Sequence, residues 1–219
     1  MQSERKTVMK KIIALTLFFA MALSFGSCSK AKRAETAARG KIEHNVYTND
    51  SIGMSFSPAE GWVFLSDEEI AGLYSTAVEN YFAEETGEII ENADVIYDLY
   101  AYNAETGGSL NVNFENLGIL YGENYDEESY LAASRENIAA QLLESGMPLS
   151  KADFTEVKVH GKKYPCLVLE INMIGEGGLA YPIKEMLFAR KVGSYMGVVT
   201  VTAMTDNEIS EILDMIKFN

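Results

Sequence analysis

Two periods of apolar residues alternate along the body of this chain. Leu110, Val112 and Phe114 alternate with Asn111, Asn113 and Glu115, the period of two expected of a half-buried strand. At Ser66-Asp67-Glu68-Glu69 the period changes. That tetrad is a capping box, and Ile70, Leu73, Tyr74, Ala77 and Tyr81 follow it at helical spacing. A second helix is predicted from Asn124 and Glu127 through Leu131, Ile138 and Leu142, with Gly146 closing it. Thr205-Asp206-Asn207-Glu208 opens a third, whose stripe is Ile209, Ile212, Leu213 and Ile216.

Between the helices the pattern predicts strands joined by short turns. One over 95–102 pairs with the Leu110 strand across the turn 103–108. Another over 154–159 turns at His160-Gly161 into 164–173, and a glycine-rich stretch leads from there into 181–191. Val192-Gly193-Ser194 then carries the chain into 195–203. Tight turns between neighbours force antiparallel pairing. Met186 and Phe188 on one side and Ile183 and Leu187 on the other make that strand apolar on both faces, which predicts helices over both. The fold class read from this pattern is α+β, an antiparallel sheet sandwiched by helices. Trp62, the single tryptophan, follows the first hairpin, and its ring is expected beneath the first helix.

The N-terminal stretch has a different pattern. Lys10 and Lys11 precede an apolar run over 12–25, followed by Gly26, Ser27 and Cys28. A charged segment, an apolar segment and small residues, in that order, mark an export signal. The run is about 14 residues long, shorter than the roughly 20 that span a hydrocarbon core. Cys28 directly after the small pair resembles the lipobox of bacterial lipoproteins, where the thiol takes a diacylglycerol and becomes the mature N-terminus. Met9, directly before Lys10, is the expected start of translation. The organisation read from this is a signal peptide over 1–27, a lipidated basic linker over 28–45 and one domain over 46–219. Lipid anchoring at Cys28 places the body on the extracytoplasmic side of a bacterial membrane.

Charge sharpens that division. From Cys28 onward the chain carries 14 basic and 31 acidic residues, a net of −17. The tail 29–45 is +3, so the body carries −20, which repels phosphate backbones and argues against nucleic-acid partners. It also favours a monomeric body. The basic tail suits anionic headgroups and acts as a tether. Lipidation of Cys28 leaves Cys166 without an intramolecular partner, so packing rather than disulfides must hold the fold. Cys166 lies in an apolar run and reads as a buried, inert thiol.

The segment from Tyr47 through Ile52-Gly53-Met54-Ser55-Phe56-Ser57-Pro58 to Gly61-Trp62 resembles the opening hairpin of the PsbP/Mog1-like fold. The later order of hairpin, helix, three-stranded meander and closing helix ending in Ile216-Lys217-Phe218 is similar to that family as well. The resemblance implies an α/β/α sandwich and carries over no activity.

Chemistry-bearing residues are sparse. His44 falls in the tail and His160 in a turn among lysines, neither placed for a Ser-His-Asp or Cys-His site. Gly175-Glu176-Gly177-Gly178 precedes a strand rather than a helix and reads as a hairpin, not a phosphate loop. Glu84, Glu85, Glu88, Glu91 and Asp94 form an acidic stretch without calcium-loop spacing, and Asp126-Glu127-Glu128 suits a helix dipole. No catalytic residue, cofactor site or metal site is expected. Tyr97, Tyr100, Tyr102, Tyr121, Tyr125 and Tyr130 gather around the central strands and second helix.

The sequence therefore points to a lipid-anchored, non-enzymatic envelope protein that binds a protein or small-molecule partner. An envelope hydrolase using carboxylates and a structural or assembly factor are the alternatives. Cys28→Ala is expected to abolish incorporation of a fatty-acid analogue in metabolic labelling, and label retained on that variant would overturn the lipobox reading.

Overall fold

The computed structural model describes residues 37–81, 95–117, 125–144, 149–174 and 180–219. Along these run β1 (Lys41–Glu43), β2 (Val46–Asn49), β3 (Met54–Phe56), β4 (Trp62–Phe64), α1 (Asp67–Tyr81), β5 (Val95–Asn103) and β6 (Ser109–Asn116). Then come α2 (Glu127–Glu144), β7 (Leu149–Val159), β8 (Lys162–Ile174), β9 (Ala180–Val192), β10 (Tyr195–Ala203), α3 (Asp206–Met215) and β11 (Ile216–Phe218). The capping boxes form as their sequences demand. Ser66 N donates to Glu69 Oε2 at 2.8 Å and Glu69 N returns a bond to Ser66 Oγ at 3.3 Å. Thr205 and Glu208 do the same at α3. At α2 the cap is Asp126, which accepts from Ser129 N at 2.8 Å. Asn124 and Gly146, expected at the two ends of this helix, lie outside the described residues.

The strands form two antiparallel sheets, one of seven in the order β4-β5-β6-β10-β9-β8-β7 and one of four in the order β1-β2-β3-β11. The architecture is α+β. One face of the large sheet buries Leu99, Leu110, Val112, Phe114, Phe188 and Val199 against Tyr47, Met54 and Phe56 of the small sheet and Ile209 and Ile212 of α3. The opposite face buries Leu167, Leu169, Leu187 and Val198 beneath Tyr130, Leu131, Ile138 and Leu142 of α2. Beside α2, Ile70 of α1 closes on Tyr100 of β5. Helices therefore lie over both faces, α3 on one and α1 and α2 on the other, but they do not cover the first face alone. A second sheet shares one face with α3, because the hairpin β2–β3 and the C-terminal strand β11 pair with each other rather than extending the large sheet.

The expected position of Trp62 is corrected. It is half-buried on β4 and meets Phe56 edge-to-face at 5.2 Å, on the small-sheet side and away from α1. Alternation along β4 decides this: Trp62 and Phe64 share the face that points at Phe56. The segment 37–45 also departs from expectation. Ala37 is buried, β1 pairs with β2, and Gly40 is bonded to β5, so the stretch expected as linker is part of the fold from Ala37.

What joins the two sheets is Asp98. Pairing of β5 with β6 runs Tyr97↔Asn113 and then Leu99↔Val112, leaving Asp98 as the extra residue of a bulge. Its carboxylate accepts from Gly40 N at 2.9 and 3.0 Å, Tyr47 hydroxyl at 2.5 Å and Asn49 Nδ2 at 2.8 Å. Burial, and after it the Asp98 carboxylate, hold the Tyr47 phenol far above its ordinary range, so it stays a donor. Gly40 has to be glycine, since a Cβ there would sit 2.3 Å from the Tyr47 ring and 2.7 Å from the Thr48 carbonyl. On β10, Gly197 admits Ile52, whose Cγ2 would lie 2.6 Å from an added Cβ.

Asp98→Ala strands three donors in a half-buried site and is expected to cost about 2–4 kcal/mol in urea unfolding, with Asp98→Asn costing less because one acceptor oxygen remains. An unchanged midpoint for the alanine variant would show that water serves those donors equally well. Gly197→Ala is expected to cost about 1–3 kcal/mol by forcing Ile52 or the strand to move.

Candidate functional site

The helix-side face of the large sheet carries an unusual floor. β6 reads Ser109-Leu110-Asn111-Val112-Asn113-Phe114-Glu115, and every one of these residues is buried. The apolar members face the small sheet. The polar members face the helices, where register aligns them with polar neighbours. Ser109 stands opposite Thr202, which stands opposite Glu185, and Asn111 stands opposite Thr200. On the other flank Tyr97, Tyr100 and Tyr102 of β5 stand opposite Asn113, Asn111 and Ser109 in turn. α1 leans on β5, and α2 leans on β7, β8 and β9 while also covering Val198 of β10 and reaching Glu115 of β6.

Some of the floor is satisfied within itself. Asn113 Nδ2 donates to Asn111 Oδ1 at 3.1 Å, and Thr202 Oγ1 donates to Glu185 Oε1 at 3.4 Å. Four atoms meet no hydrogen-bond partner: Ser109 Oγ, Asn113 Oδ1, Thr200 Oγ1 and Glu185 Oε2, all on residues with 0% exposure. Buried polar groups in folded proteins nearly always have partners, so four on one face of three adjacent strands set this face apart. Burial pushes the Glu185 carboxyl up to about 8, offset in part by the Thr202 hydroxyl. At the far end of the same face, burial and then the Glu115 carboxylate hold the Tyr130 phenol well above its ordinary value.

Among the described residues singled out from sequence, the tyrosines alone meet this floor. Cys28, the acidic stretch from Glu84 to Asp94, Tyr121 and the Gly175 segment lie outside the described residues. Cys166 is buried on the small-sheet face and its thiol is pushed by burial to about 12, where it is neither nucleophile nor ligand. His44 and His160 occupy turns with φ of 50° and 46°, remote in register from the polar floor. Asp126 caps α2, and Glu127 accepts from Lys191 N at 3.1 Å, tying the helix to the end of β9. Among the described residues no group of three or more His, Cys, Asp or Glu is placed to hold a metal ion, and no helix is long and apolar enough to cross a membrane. Of the tyrosines, Tyr97, Tyr100 and Tyr102 flank the floor, and Tyr130 reaches its Glu115 end.

Sequence reading missed the floor itself. The alternation in β6 reads as a strand half in water, whereas both of its faces are covered. The signal was present in the two-sided apolar pattern around Met186 and Leu187: if helices cover that strand, they cover its neighbours, and the polar half of β6 must be buried as well.

No protein-family model matches the chain, and no curated protein does. Several solved structures are similar to it. A crystal structure from Bacteroides thetaiotaomicron is 13% identical with a TM-score of 0.38, covering 84% of this chain and 49% of the other, so this chain spans about half that protein's length. The solution structure of cyanobacterial PsbP (CyanoP) from Synechocystis is 10% identical with a TM-score of 0.43, covering 89% and 98%. LpqN, involved in cell envelope biogenesis of Mycobacterium tuberculosis, is 9% identical with a TM-score of 0.36, covering 74% and 76%. PsbP, which the opening hairpin resembles, is thus among the structural neighbours. The functional reading rests on this chain's own residues.

Glu185 gives the floor a pH signature. Its carboxyl is raised from 4.5 to about 8 in the folded chain, so the folded state binds the extra proton. Stability contributed by this group is therefore full at low pH and is lost as pH rises through that window. The expected fall is up to about 1.4 kcal/mol per pH unit between roughly pH 5 and 8. Glu185→Gln is expected to flatten that slope in urea unfolding across pH, and a variant keeping the wild-type slope would assign it to other groups.

Proposed function

We propose that this chain is a lipid-anchored protein of the bacterial cell envelope whose body is a non-catalytic binding module for a small polar molecule. The anchor is Cys28, with the basic tail as tether and the body held on the extracytoplasmic side. The observation that carries the binding reading is the set of four unpartnered, fully buried polar atoms on β6, β10 and β9. Such groups cost folding free energy, roughly 1–3 kcal/mol each, unless a bound molecule completes them.

Size favours a small molecule over a protein. From Ser109 to Asn113 along β6, and from β6 across β10 to β9, strand geometry gives a floor of roughly 13 by 10 Å. A stable protein partner covers about 800 Å² on each side, several times that area. Geometry also disfavours the carboxylate-hydrolase alternative. Among the described residues the deeply buried carboxyls are Glu115 and Glu185, register neighbours of Met196 and Thr202, which puts them roughly 20 Å apart along the strands. Paired glycosidase carboxylates lie about 5–9.5 Å apart.

Native mass spectrometry of the anchored protein, purified in detergent from its own membrane, tests this reading. A small molecule is expected to travel with the chain and to be lost from Thr200→Val and Ser109→Ala, two nearly isosteric changes at the floor. A spectrum showing only the lipidated chain, for wild type and variants alike, would overturn it.

A further inference from the structure

We infer that the outward face of the small sheet, with the adjoining tip of the β7–β8 hairpin, is the surface by which the anchored body rests on anionic phospholipid headgroups. This rests on the lipid-anchored reading, adds to it which side of the body meets the membrane, and is independent of what the polar floor binds.

Pairing register builds the face. Tyr47, Met54, Phe56, Ile216 and Phe218 point into the core, so alternation turns Thr48, Ser55 and Lys217 outward. Lys41 stands opposite Thr48, Thr48 opposite Ser55, and Ser55 opposite Lys217. That row has a lysine at each end and two hydroxyls between, and strand spacing puts the lysines roughly 14 Å apart. Glu43 is the one carboxylate at the outward strand positions of this sheet among the described residues. The hairpin tip adjoins the Lys217 end. Tyr164 meets Phe218 at 4.9 Å, and the Arg190 guanidinium lies over both rings at 4.9 and 5.3 Å. Lys158, Lys162 and Lys163 are exposed around that turn. Lys163 is paired with Glu156 at 2.7 Å, whereas Lys41, Lys158, Lys162 and Lys217 make no ion pair among the described residues.

The rest of the body has the opposite sign. α1 and α2, on the far face of the large sheet, hold eight carboxylates and one arginine. α3 brings four more carboxylates, and it packs beside Gly108, at the other end of β6 from the hairpin tip. A charge distribution of this kind orients the body before contact, since an anionic surface repels the helices and draws the lysines. The tether selects a lipid surface as the partner. The fold begins at Ala37, four residues before Lys41 on the edge of this same sheet. Ala37 is nine residues after Cys28, a span of at most about 30 Å, and Lys30, Lys32 and Arg33 between them carry the same sign as the face. A body held that close to a bilayer by this edge presents this face to it.

Fluorophore labelling of the full lipidated chain on vesicles tests the face. Thr48→Cys puts a reactive thiol on it and Ala132→Cys puts one on the exposed side of α2, while Cys166 is buried. The vesicles are phosphatidylcholine alone or with a quarter of phosphatidylglycerol, each carrying a quencher on its headgroups. With phosphatidylglycerol the Thr48 label is expected to be quenched at least about twofold more than the Ala132 label. Lys162→Gln and Lys217→Gln are each expected to weaken that docking about fivefold, the worth of one basic residue near an anionic surface. Salt at about 1 M, where the Debye length falls to about 3 Å, is expected to abolish it. A Thr48 preference that survives both substitutions and salt would overturn the inference. So would a Thr48 label shielded in native membranes but open on the vesicles, which would assign the face to an acidic protein. A chain that floats with neither vesicle would lack the anchor and overturn the anchored reading as well, whereas one that floats with both and is quenched alike at the two labels overturns the docking face alone.

Discussion

The carboxylate of Asp98 is the interaction on which the two-sheet arrangement depends. It gathers a backbone amide of the segment before β1, the Tyr47 phenol and the Asn49 amide, and so fastens the small sheet to the large one. Asn49 passes the constraint on. Its carbonyl oxygen accepts from Ser51 N and Ile52 N, which shapes the turn that delivers Ile52 to the space left open by Gly197. The bulge that exposes Asp98 has a second effect. One inserted residue shifts the alternation of β5, so that Tyr97 before it and Tyr100 and Tyr102 after it stand beside the polar row of β6. Leu99 and Ala101 are turned to the small-sheet core by the same shift. A single acidic residue in an apolar strand thus fixes both the docking of one sheet and the lining of the other.

Much of this fold was legible in the chain. The three helix starts, the antiparallel meander and the turn at His160-Gly161 follow from caps, period and turn residues, which act over a few neighbours. What was not legible depends on layers. Nothing within Val95–Asn103 says that Asp98 will meet Tyr47, because that contact spans 51 residues and exists only once two sheets are stacked. Likewise Trp62 alternates correctly along β4, yet which layer it faces is decided by Phe56. The polar floor was hidden for a related reason. Alternation reports two unlike faces of a strand, and only the neighbouring elements decide whether the polar one is wet.

A buried polar floor costs stability. Each unpartnered group costs roughly 1–3 kcal/mol against a total stability of about 5–15 kcal/mol, so four of them are a large fraction of what holds a domain together. The surrounding construction offsets that cost. Leu110, Val112 and Phe114, on the reverse of the same strand, are fully buried, so β6 is held from behind by apolar packing while its front carries the polar groups. Rigid support beneath adaptable chemistry is what precise placement of hydrogen-bonding groups requires.

The pairing of β11 with β3 has a consequence for how the molecule is made. Phe218 stands opposite Met54 and Ile216 opposite Phe56, and Asn219 N donates to Gly53 O at 2.7 Å, so the last residues complete a sheet begun about 160 residues earlier. Closing a loop of that length costs about 4–5 kcal/mol of chain entropy, more than three strand residues return by themselves. The difference comes from Phe218, seated on Phe188 and Tyr164 beneath the Arg190 guanidinium, and those partners belong to the large sheet. The order of assembly follows. The large sheet is the template, and the hairpin β2–β3 takes β11 only where Phe188, Tyr164 and Arg190 are already in place.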